Sequence, residues 1–137
     1  MLKIYYCSPI DINPEKARKQ IEYFKWLFSK YSNIEVYGAG FKDSPIISNN
    51  SSWDKKAIVI AYDYRILRNC DILFVNSDLS TFCAGTFMEL EYAKRLGIYV
   101  LLLVPEKPKN IFLECLADKI IYSIDELEVF LNNICDD

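Results

Sequence analysis

The sequence predicts an α/β protein in which helices cover a five-stranded parallel sheet. Short apolar runs alternate with amphipathic segments along the chain, and this pattern is typical of such a sheet. Residues 98–104 are apolar at every position, as expected for a strand that is buried on both faces. The 137 residues are 52% hydrophobic and contain no linker or repeat, so we expect a single domain over residues 1–137.

The order of the apolar runs predicts the elements. The strand candidates are residues 3–7, 34–37, 72–75, 98–104 and 119–122. Asn13 and Pro14 are suited to begin a first helix, and Ser123 with Glu126 forms a capping-box pattern for the last helix. Both helices are predicted to be structural. Two further helices are predicted over residues 52–69 and over residues 85–97, the second ending at Gly97.

A functional site is expected beyond the carboxyl ends of the strands, because sheets of this type bind ligands there, at the point where the strand order reverses. The segments to inspect are residues 5–10, 38–41, 76–85 and 105–110. The polar loop over residues 41–53 is longer than a simple connection requires. It is either a surface excursion or a substrate lid.

Composition excludes several function classes. The chain has no histidine, which rules out His-based triads, His-ligated zinc and imidazole proton shuttles. Its four glycines form neither a G-x-G-x-x-G turn nor a P-loop. A net charge of −3 argues against nucleic-acid binding, and no apolar run is long enough to span a bilayer. Small-molecule or protein partners are therefore expected.

The five cysteines are odd in number and form no C-x-x-C pair, so we expect reduced thiols and a cytoplasmic location. Cys83 precedes a predicted helix start, where a thiolate would be favoured. No histidine is present to act as its base, and a small apolar filler is the other interpretation. No D-x-D-x-D spacing or similar cluster indicates a metal site.

Two glutamates in the helix over residues 85–97 differ in their neighbours. Glu91 has Lys94 and Arg95 three and four residues on, which predicts an exposed ion pair. Glu89 has no basic residue at those spacings and lies near the helix N-terminus, whose dipole favours the ionised carboxylate. Glu89 is therefore either a nucleophile at the crevice or a solvated first-turn glutamate.

Asp63 and Tyr5 are the other candidates for chemistry. Asp63 lies between two largely apolar helix stripes, which predicts partial shielding and a raised pKa suited to a proton donor. A carboxylate that caps a loop or faces solvent is the alternative. Tyr5 and Tyr6 leave the first strand on opposite faces, so one of them can reach the crevice. The alternative is a core tyrosine with its hydroxyl at the rim.

Four segments in order resemble the nucleoside 2-deoxyribosyltransferase family. LKIYYCSPI resembles its first strand, with Tyr5 at the tyrosine position, and DYRILRNCDILFV keeps its eight-residue interval between Asp63 and Asp71. CAGTFMELEYA is similar to the G-T-x-x-E signature, in which Glu89 matches the nucleophile. KPKNIF resembles the segment that supplies an asparagine to a neighbouring subunit's site, matched here by Asn110.

The resemblance implies a flavodoxin-like three-layer sandwich and a double displacement at C1′ of a 2′-deoxynucleoside. Glu89 would attack C1′, Asp63 would supply a proton to the leaving base, and Tyr5 would orient Glu89 by a hydrogen bond. No cofactor or metal is implied, and a site shared through Asn110 implies at least a homodimer. The substrate-binding residues implied are Cys83, Asn110, Gly85, Ser8 and Pro9.

Cys83 is a departure from the family pattern. The transferases have an aspartate six residues before the nucleophile, which helps to hold the 5′-hydroxyl of the sugar, whereas the related 5′-monophosphate N-glycosidases have a serine. A neutral cysteine leaves the 5′ preference open. The segment after the first strand lacks the glycine- and arginine-containing phosphate loop of the hydrolases, which favours transfer. A monophosphate N-glycosidase and a non-catalytic nucleotide-binding module remain the alternatives.

Overall fold

In the computed structural model, a parallel sheet lies between two layers of helices, as the sequence predicts. The structure describes residues 1–8, 14–41, 50–77 and 84–135. The elements within these residues, in chain order, are β1 (Leu2–Cys7), α1 (Pro14–Ser29), β2 (Ile34–Tyr37), α2 (Trp53–Arg68), β3 (Ile72–Asn76), α3 (Ala84–Arg95), β4 (Tyr99–Leu103), α4 (Ile111–Leu116), β5 (Lys119–Ile121) and α5 (Ile124–Cys135).

The strand order is β2-β1-β3-β4-β5, and all four neighbouring pairs are parallel. β1 and β3 are adjacent in the sheet, with Tyr5 paired to Leu73 and Cys7 paired to Val75. The chain moves outward in one direction from β1 to β2 and in the other from β3 to β5. The strand order therefore reverses between β1 and β3, and the crevice opens beyond their carboxyl ends.

The two faces of the sheet have separate hydrophobic cores. On one face, Tyr6 of β1 packs with residues of α1 and α5, including Leu27 and Leu127. On the other face, Tyr5 and Cys7 of β1 pack with residues of α2, α3 and α4. The alternation of side chains along β1 thus places the two tyrosines on opposite faces, as predicted. Within the described residues, no helix is long and apolar enough to cross a bilayer.

The bounds of β2 are as predicted, and each of the other four strands differs from its predicted run by one residue at one or both ends. The apolar run over residues 98–104 predicts a longer strand than β4, which is Tyr99–Leu103. Ile98 is buried, but its backbone N–H closes the end of α3 by donating to Ala93 O. Tyr99 is 37% exposed despite the apolar pattern around it. Apolar character reports burial, whereas strand bounds depend on backbone pairing.

The helix starts follow local sequence signals. The Ser123 hydroxyl accepts a hydrogen bond from Glu126 N at 3.2 Å, which confirms the predicted cap of α5. The Glu126 carboxylate in turn accepts from the backbone N–H of Tyr122. The predicted cap at Asn13 lies outside the described residues. The short helix α4 is not predicted from the sequence, because its six residues bury only Leu113.

Gly38 is the glycine whose small size is needed near the crevice. It follows β2 with a φ of 121°, and a Cβ at this position would lie 2.3 Å from the carbonyl oxygen of Tyr6. Any side chain here would force the end of β1 away from the turn that follows β2. Gly97, two residues beyond the end of α3, has a φ of 75°, as expected for a glycine that ends a helix.

Candidate active site

The carboxyl end of β1 places two buried side chains under α2 and α3. Tyr5 and Cys7 are two residues apart, so they leave the strand on the same face, and both belong to the core on that face. Their position beside β3 puts them at the point of strand reversal. This end of the sheet is where the sequence predicts the crevice.

Helix α3 brings Glu89 to the same place. Thr86 is buried in the first turn of α3, and its Oγ1 lies 4.0 Å from Cys7 Sγ. Glu89 follows Thr86 by three residues, so both lie on the side of the helix that faces β1. The Glu89 side chain is half-buried and has a side-chain hydrogen bond with Cys7. Its Oε2 atom is buried and has no hydrogen-bond partner among the described residues.

Burial decides the charge state of Glu89. Loss of hydration raises its pKa to about 7, the hydrogen bond from Cys7 opposes this rise, and the negative charge of Asp63 adds to it. From its position near a helix N-terminus, we expect the ionised form of Glu89 to be favoured. Burial of the carboxyl opposes ionisation and outweighs the effect of the helix. Glu89 is therefore not a solvated first-turn glutamate.

Asp63 lies across from Glu89 on the neighbouring helix α2. It is half-buried, which agrees with the predicted partial shielding. Its charge acts on both Glu89 and Tyr5, so the three groups form one electrostatic cluster. The pairing of the two helices is also seen in the Tyr64 and Tyr92 rings, whose centroids are 5.0 Å apart in an edge-on arrangement.

One of the two helix stripes around Asp63 is less buried than its composition suggests. Ile60 is 51% exposed, whereas Leu67, two turns later on the same stripe, is fully buried. On this stripe the second half of α2 is buried more deeply than the first, although Val59 on the other stripe is buried as well. Apolar composition alone does not distinguish the two ends of such a stripe.

Tyr5 is held in its protonated form at the base of the cluster. Burial raises its pKa most, and the negative charges of Glu89 and Asp63 raise it further. A protonated phenol can donate a hydrogen bond to a carboxylate or a substrate. Among the described residues, the interaction of Tyr5 with Glu89 is electrostatic, and the hydrogen bond implied by the family resemblance stays a prediction.

Tyr6 extends the crevice on the other face of the sheet. Its hydroxyl accepts a hydrogen bond from Asn76 Nδ2 at 3.2 Å and is also hydrogen-bonded to Ser8. Burial raises the pKa of Tyr6 to about 12, although both hydrogen bonds lower it. Ser8, a predicted substrate-binding residue, and Asn76 therefore meet where β1 and β3 end.

Of the remaining predicted site residues, Asn110 and Gly85 are described and two others are not. Asn110 is exposed at the start of α4, where its Oδ1 accepts a hydrogen bond from Phe112 N at 2.9 Å. Gly85 is exposed in the first turn of α3. Pro9 and Cys83 lie outside the described residues, as do residues 42–49 of the predicted lid.

Glu91 is a contrast within the same helix. Its carboxylate is exposed and pairs with Arg95 at 2.6 Å, which confirms the predicted ion pair. Lys94, the other predicted partner, instead lies 3.0 Å from Asp118. The sequence predicts the surface ion pair of Glu91, whereas the structure decides that Glu89, only two residues away, has a buried carboxylate oxygen.

Two residues of the site are missed by sequence reasoning. Cys7 and Asn76 both lie in the strand-end segments chosen for inspection, but neither residue type indicates its role there. Their partners, Glu89 and Tyr6, are distant in sequence, so the contacts exist only in the folded chain. Within the described ranges, no cluster of carboxylates and cysteines is arranged to hold a metal ion.

The geometry defines a carboxylate site at the crevice of a parallel α/β sheet, with Glu89 and Asp63 on adjacent helices above a buried tyrosine. Such a pair can supply a nucleophile and a proton carrier for displacement at a sugar carbon. The packing of α2 on α3 sets the distance between the two carboxylates.

Several solved structures are similar to this chain in fold. The chain is similar to a 2-deoxyribosyltransferase from Bacillus psychrosaccharolyticus, with a TM-score of 0.74, 20% identity, and 92% of this chain and 90% of that chain covered. It is similar to a conserved protein from Enterococcus faecalis, with a TM-score of 0.72, 20% identity, and coverage of 93% and 94%.

A CMP N-glycosidase from Clostridium botulinum also matches, with a TM-score of 0.60, 16% identity, and coverage of 93% of this chain and 98% of that chain. No protein-family model and no curated protein sequence matches the chain. These neighbours fit the suspected 2-deoxyribosyltransferase family and confirm the predicted fold class. At these identities the likeness concerns the fold.

Proposed function

We propose that this protein is a nucleoside 2-deoxyribosyltransferase that exchanges the base of 2′-deoxynucleosides through a covalent glycosyl-glutamate intermediate. The observation that carries the proposal is Glu89 Oε2, a buried carboxylate oxygen with no partner among the described residues, at the end of the sheet where ligands bind. A buried polar atom without a partner costs about 1–3 kcal/mol, which a bound substrate can recover. The fold neighbours support chemistry at a nucleoside glycosidic bond.

The reaction uses the two carboxylates in different states. Ionised Glu89 attacks C1′ of the deoxyribose, the bond from C1′ to the base nitrogen breaks, and the departing base receives a proton through Asp63. A second base then attacks C1′, gives up a proton, and releases the Glu89 carboxylate. The two displacements retain the configuration at C1′. Tyr5 remains protonated and stabilises the carboxylate as a neutral donor.

A second candidate is hydrolysis of a 2′-deoxynucleoside 5′-monophosphate, in which water replaces the second base. The similarity to a CMP N-glycosidase favours it, and the neutral Cys83 permits it at a position where a carboxylate would repel a phosphate. The absence of lysine and arginine from the sequence between Ser8 and Asn13 favours an uncharged 5′ end, and with it the transferase.

The proposal includes a site shared between copies of the chain. Asn110 is exposed, and the two residues after it, Ile111 and Phe112, are 66% and 67% exposed. A second copy would cover these apolar side chains and receive Asn110 near its own crevice.

The described cysteines are all free thiols, so we also keep the expectation of a cytoplasmic location.

One assay separates the candidates. A 2′-deoxynucleoside and its 5′-monophosphate are each incubated with the protein, with and without a second free base. We expect a new deoxynucleoside from the uncharged substrate when the second base is present. Free base with deoxyribose 5-phosphate from the monophosphate would establish the hydrolase instead. Tight binding of both substrates with no turnover would contradict both reactions and indicate a binding module.

The shared site has a test of its own. E89A and N110A are expected to be weakly active or inactive alone, for different reasons. If Asn110 acts in the neighbouring subunit, mixing the two variants under conditions of subunit exchange restores part of the activity. No recovery in mixtures that light scattering shows to be mixed oligomers would contradict sharing.

A further inference from the structure

Cys7 is the last residue of β1 and lies under α3, the helix that carries Glu89. Its side chain is 6% exposed and belongs to the core between the sheet and α2, α3 and α4. Thr86, on the inward side of α3, lies 4.0 Å from its sulfur. The strand end and the helix thus hold the thiol in place from two sides.

The thiol proton has two neighbours that could accept it, the Thr86 hydroxyl and the Glu89 carboxylate. The thiol lies as a donor 4.0 Å from Thr86 Oγ1, and the Glu89 carboxylate is the stronger acceptor of the two because it is charged. Because Glu89 Oε2 has no partner among the described residues, the bond from Cys7 falls on Oε1. The two oxygens of the carboxylate therefore differ, since one is held and the other is available.

We infer that Cys7 is a positioning residue for Glu89: its thiol holds Oε1 of the carboxylate and leaves Oε2 as the oxygen that attacks C1′. This inference rests on the proposed function for the identity of the nucleophile. It adds a residue that neither the family resemblance nor the fold neighbours assign.

A thiol suits this task because it is a weak donor. A lysine or arginine beside Glu89 would favour the ionised carboxylate strongly but would also neutralise the nucleophile. A weak neutral donor orients the carboxylate while leaving most of its charge for the reaction. It also favours ionisation in a place where burial and Asp63 both oppose it.

The other titratable groups that face Glu89 act on its charge and do not replace the hydrogen bond from Cys7. From the described part of α2, Asp63 and Tyr64 interact with Glu89 electrostatically, and Tyr5 does so from β1. Asp63 brings negative charge, whereas both tyrosines are held in their neutral form by burial. Removal of the thiol should therefore leave Glu89 harder to ionise.

The test compares C7A, C7S and C70A. Cys70 is a matched control, because it is buried in the same core but its sulfur donates to the backbone oxygen of Ile66 at 3.3 Å. In C7A, we expect the acidic limb of the pH profile of kcat/KM to move up by about 0.5–1 pH unit. At pH 6, this shift lowers kcat/KM by about 3- to 10-fold, with a smaller loss at pH 8.5. C7S keeps a donor and should restore the limb, and C70A should leave it in place.

A second readout does not depend on turnover. In protein labelled with 13C at the glutamate side-chain carboxyl, the Glu89 signal is assigned by its loss in E89Q and then titrated by NMR. We expect a higher pKa of Glu89 in C7A than in wild type or C70A. Equal titration of Glu89 in all three proteins, each shown to be folded by circular dichroism, would overturn the inference. Absence of any nucleoside turnover with a shifted Glu89 titration would instead overturn only the proposed function.

Discussion

The two faces of the sheet share the same strands but differ in what they bury. On the α1 and α5 face, aromatic rings from three elements meet, with Phe74 packed against Tyr6, Phe24 and Phe28 at centroid distances of 5.5 to 5.9 Å. On the α2 and α3 face, small and polar side chains lie near the carboxyl end of β1, where Cys7 and Thr86 leave room for Glu89. Both faces bury an apolar core, and the second face also holds a charged group at a cost.

This difference shows how a small α/β protein can carry a destabilising site. Burial of aromatic rings is favourable by about 1.5–3 kcal/mol for each side chain, whereas an ionised carboxylate loses hydration when it is buried. Burial of the apolar side chains on both faces offsets the free energy that is lost when the carboxylate is buried. Variants on the two faces should therefore change different properties.

The largest effect is expected from removal of the nucleophile. E89A should lower activity by about 10³-fold or more, since Glu89 is the residue proposed to form the glycosyl intermediate. Steady-state kinetics measure the loss, and circular dichroism checks the fold. E91A is the matched control, because Glu91 is exposed in the same helix and pairs only on the surface. Equal activity of E89A and wild type would refute the assignment.

On the other face, F74A should change stability rather than chemistry. Phe74 is 1% exposed at the centre of the aromatic cluster, so its truncation should lower the free energy of unfolding by about 3–5 kcal/mol. Urea denaturation measures the change. V129A, at an exposed site on α5, should stay within about 0.5 kcal/mol of wild type. A fall in kcat for the folded fraction of F74A would contradict the separation of the two faces.

Removal of the proposed proton carrier, Asp63, should lower the rate less than removal of Glu89 does. D63N should lower kcat by about 10²-fold, with less loss for bases that leave readily without a proton. The comparison of substrates with good and poor leaving bases measures this dependence. D54N, in the exposed first turn of the same helix, is the control. A uniform loss across all bases would argue against proton transfer through Asp63.

The smallest effect is expected on the free energy of unfolding, which the buried carboxyl of Glu89 lowers. Its pKa rises from 4.5 to about 7 on folding, so the folded state is penalised where the unfolded chain is ionised. The penalty is absent below the unfolded pKa, grows as the pH rises toward 7, and is complete above it. E89Q should therefore be more stable than wild type at pH 8, by about 1–3 kcal/mol, but not at pH 4.

Thermal unfolding of E89Q and wild type across this pH range measures the difference. The C7A variant sharpens the comparison, because loss of its donor should increase the penalty on Glu89 at pH 8. A difference between E89Q and wild type that does not depend on pH would show that Glu89 is not buried in its ionised form.

Part of the site could be predicted from local sequence. The contrast between Glu89 and Glu91 follows from the charges within one helical turn, because such neighbours are present in any folded form of the helix. The partial shielding of Asp63 follows in the same way from the apolar residues around it. By contrast, the exposed Ile60 shows that composition does not reveal which end of a helix meets the sheet.

The sequence by itself determined the order of the five strands and of every helix except α4 along the described chain, the opposite faces of Tyr5 and Tyr6, and the choice of Glu89 and Asp63 as candidates for chemistry. These features depend on side-chain periodicity and on neighbours a few residues away. Only the tertiary structure decided that Cys7 meets Glu89, that Asn76 meets Tyr6, and that burial rather than the helix dipole sets the Glu89 pKa. The reason is physical: contacts and hydration depend on packing between segments that are distant in the chain.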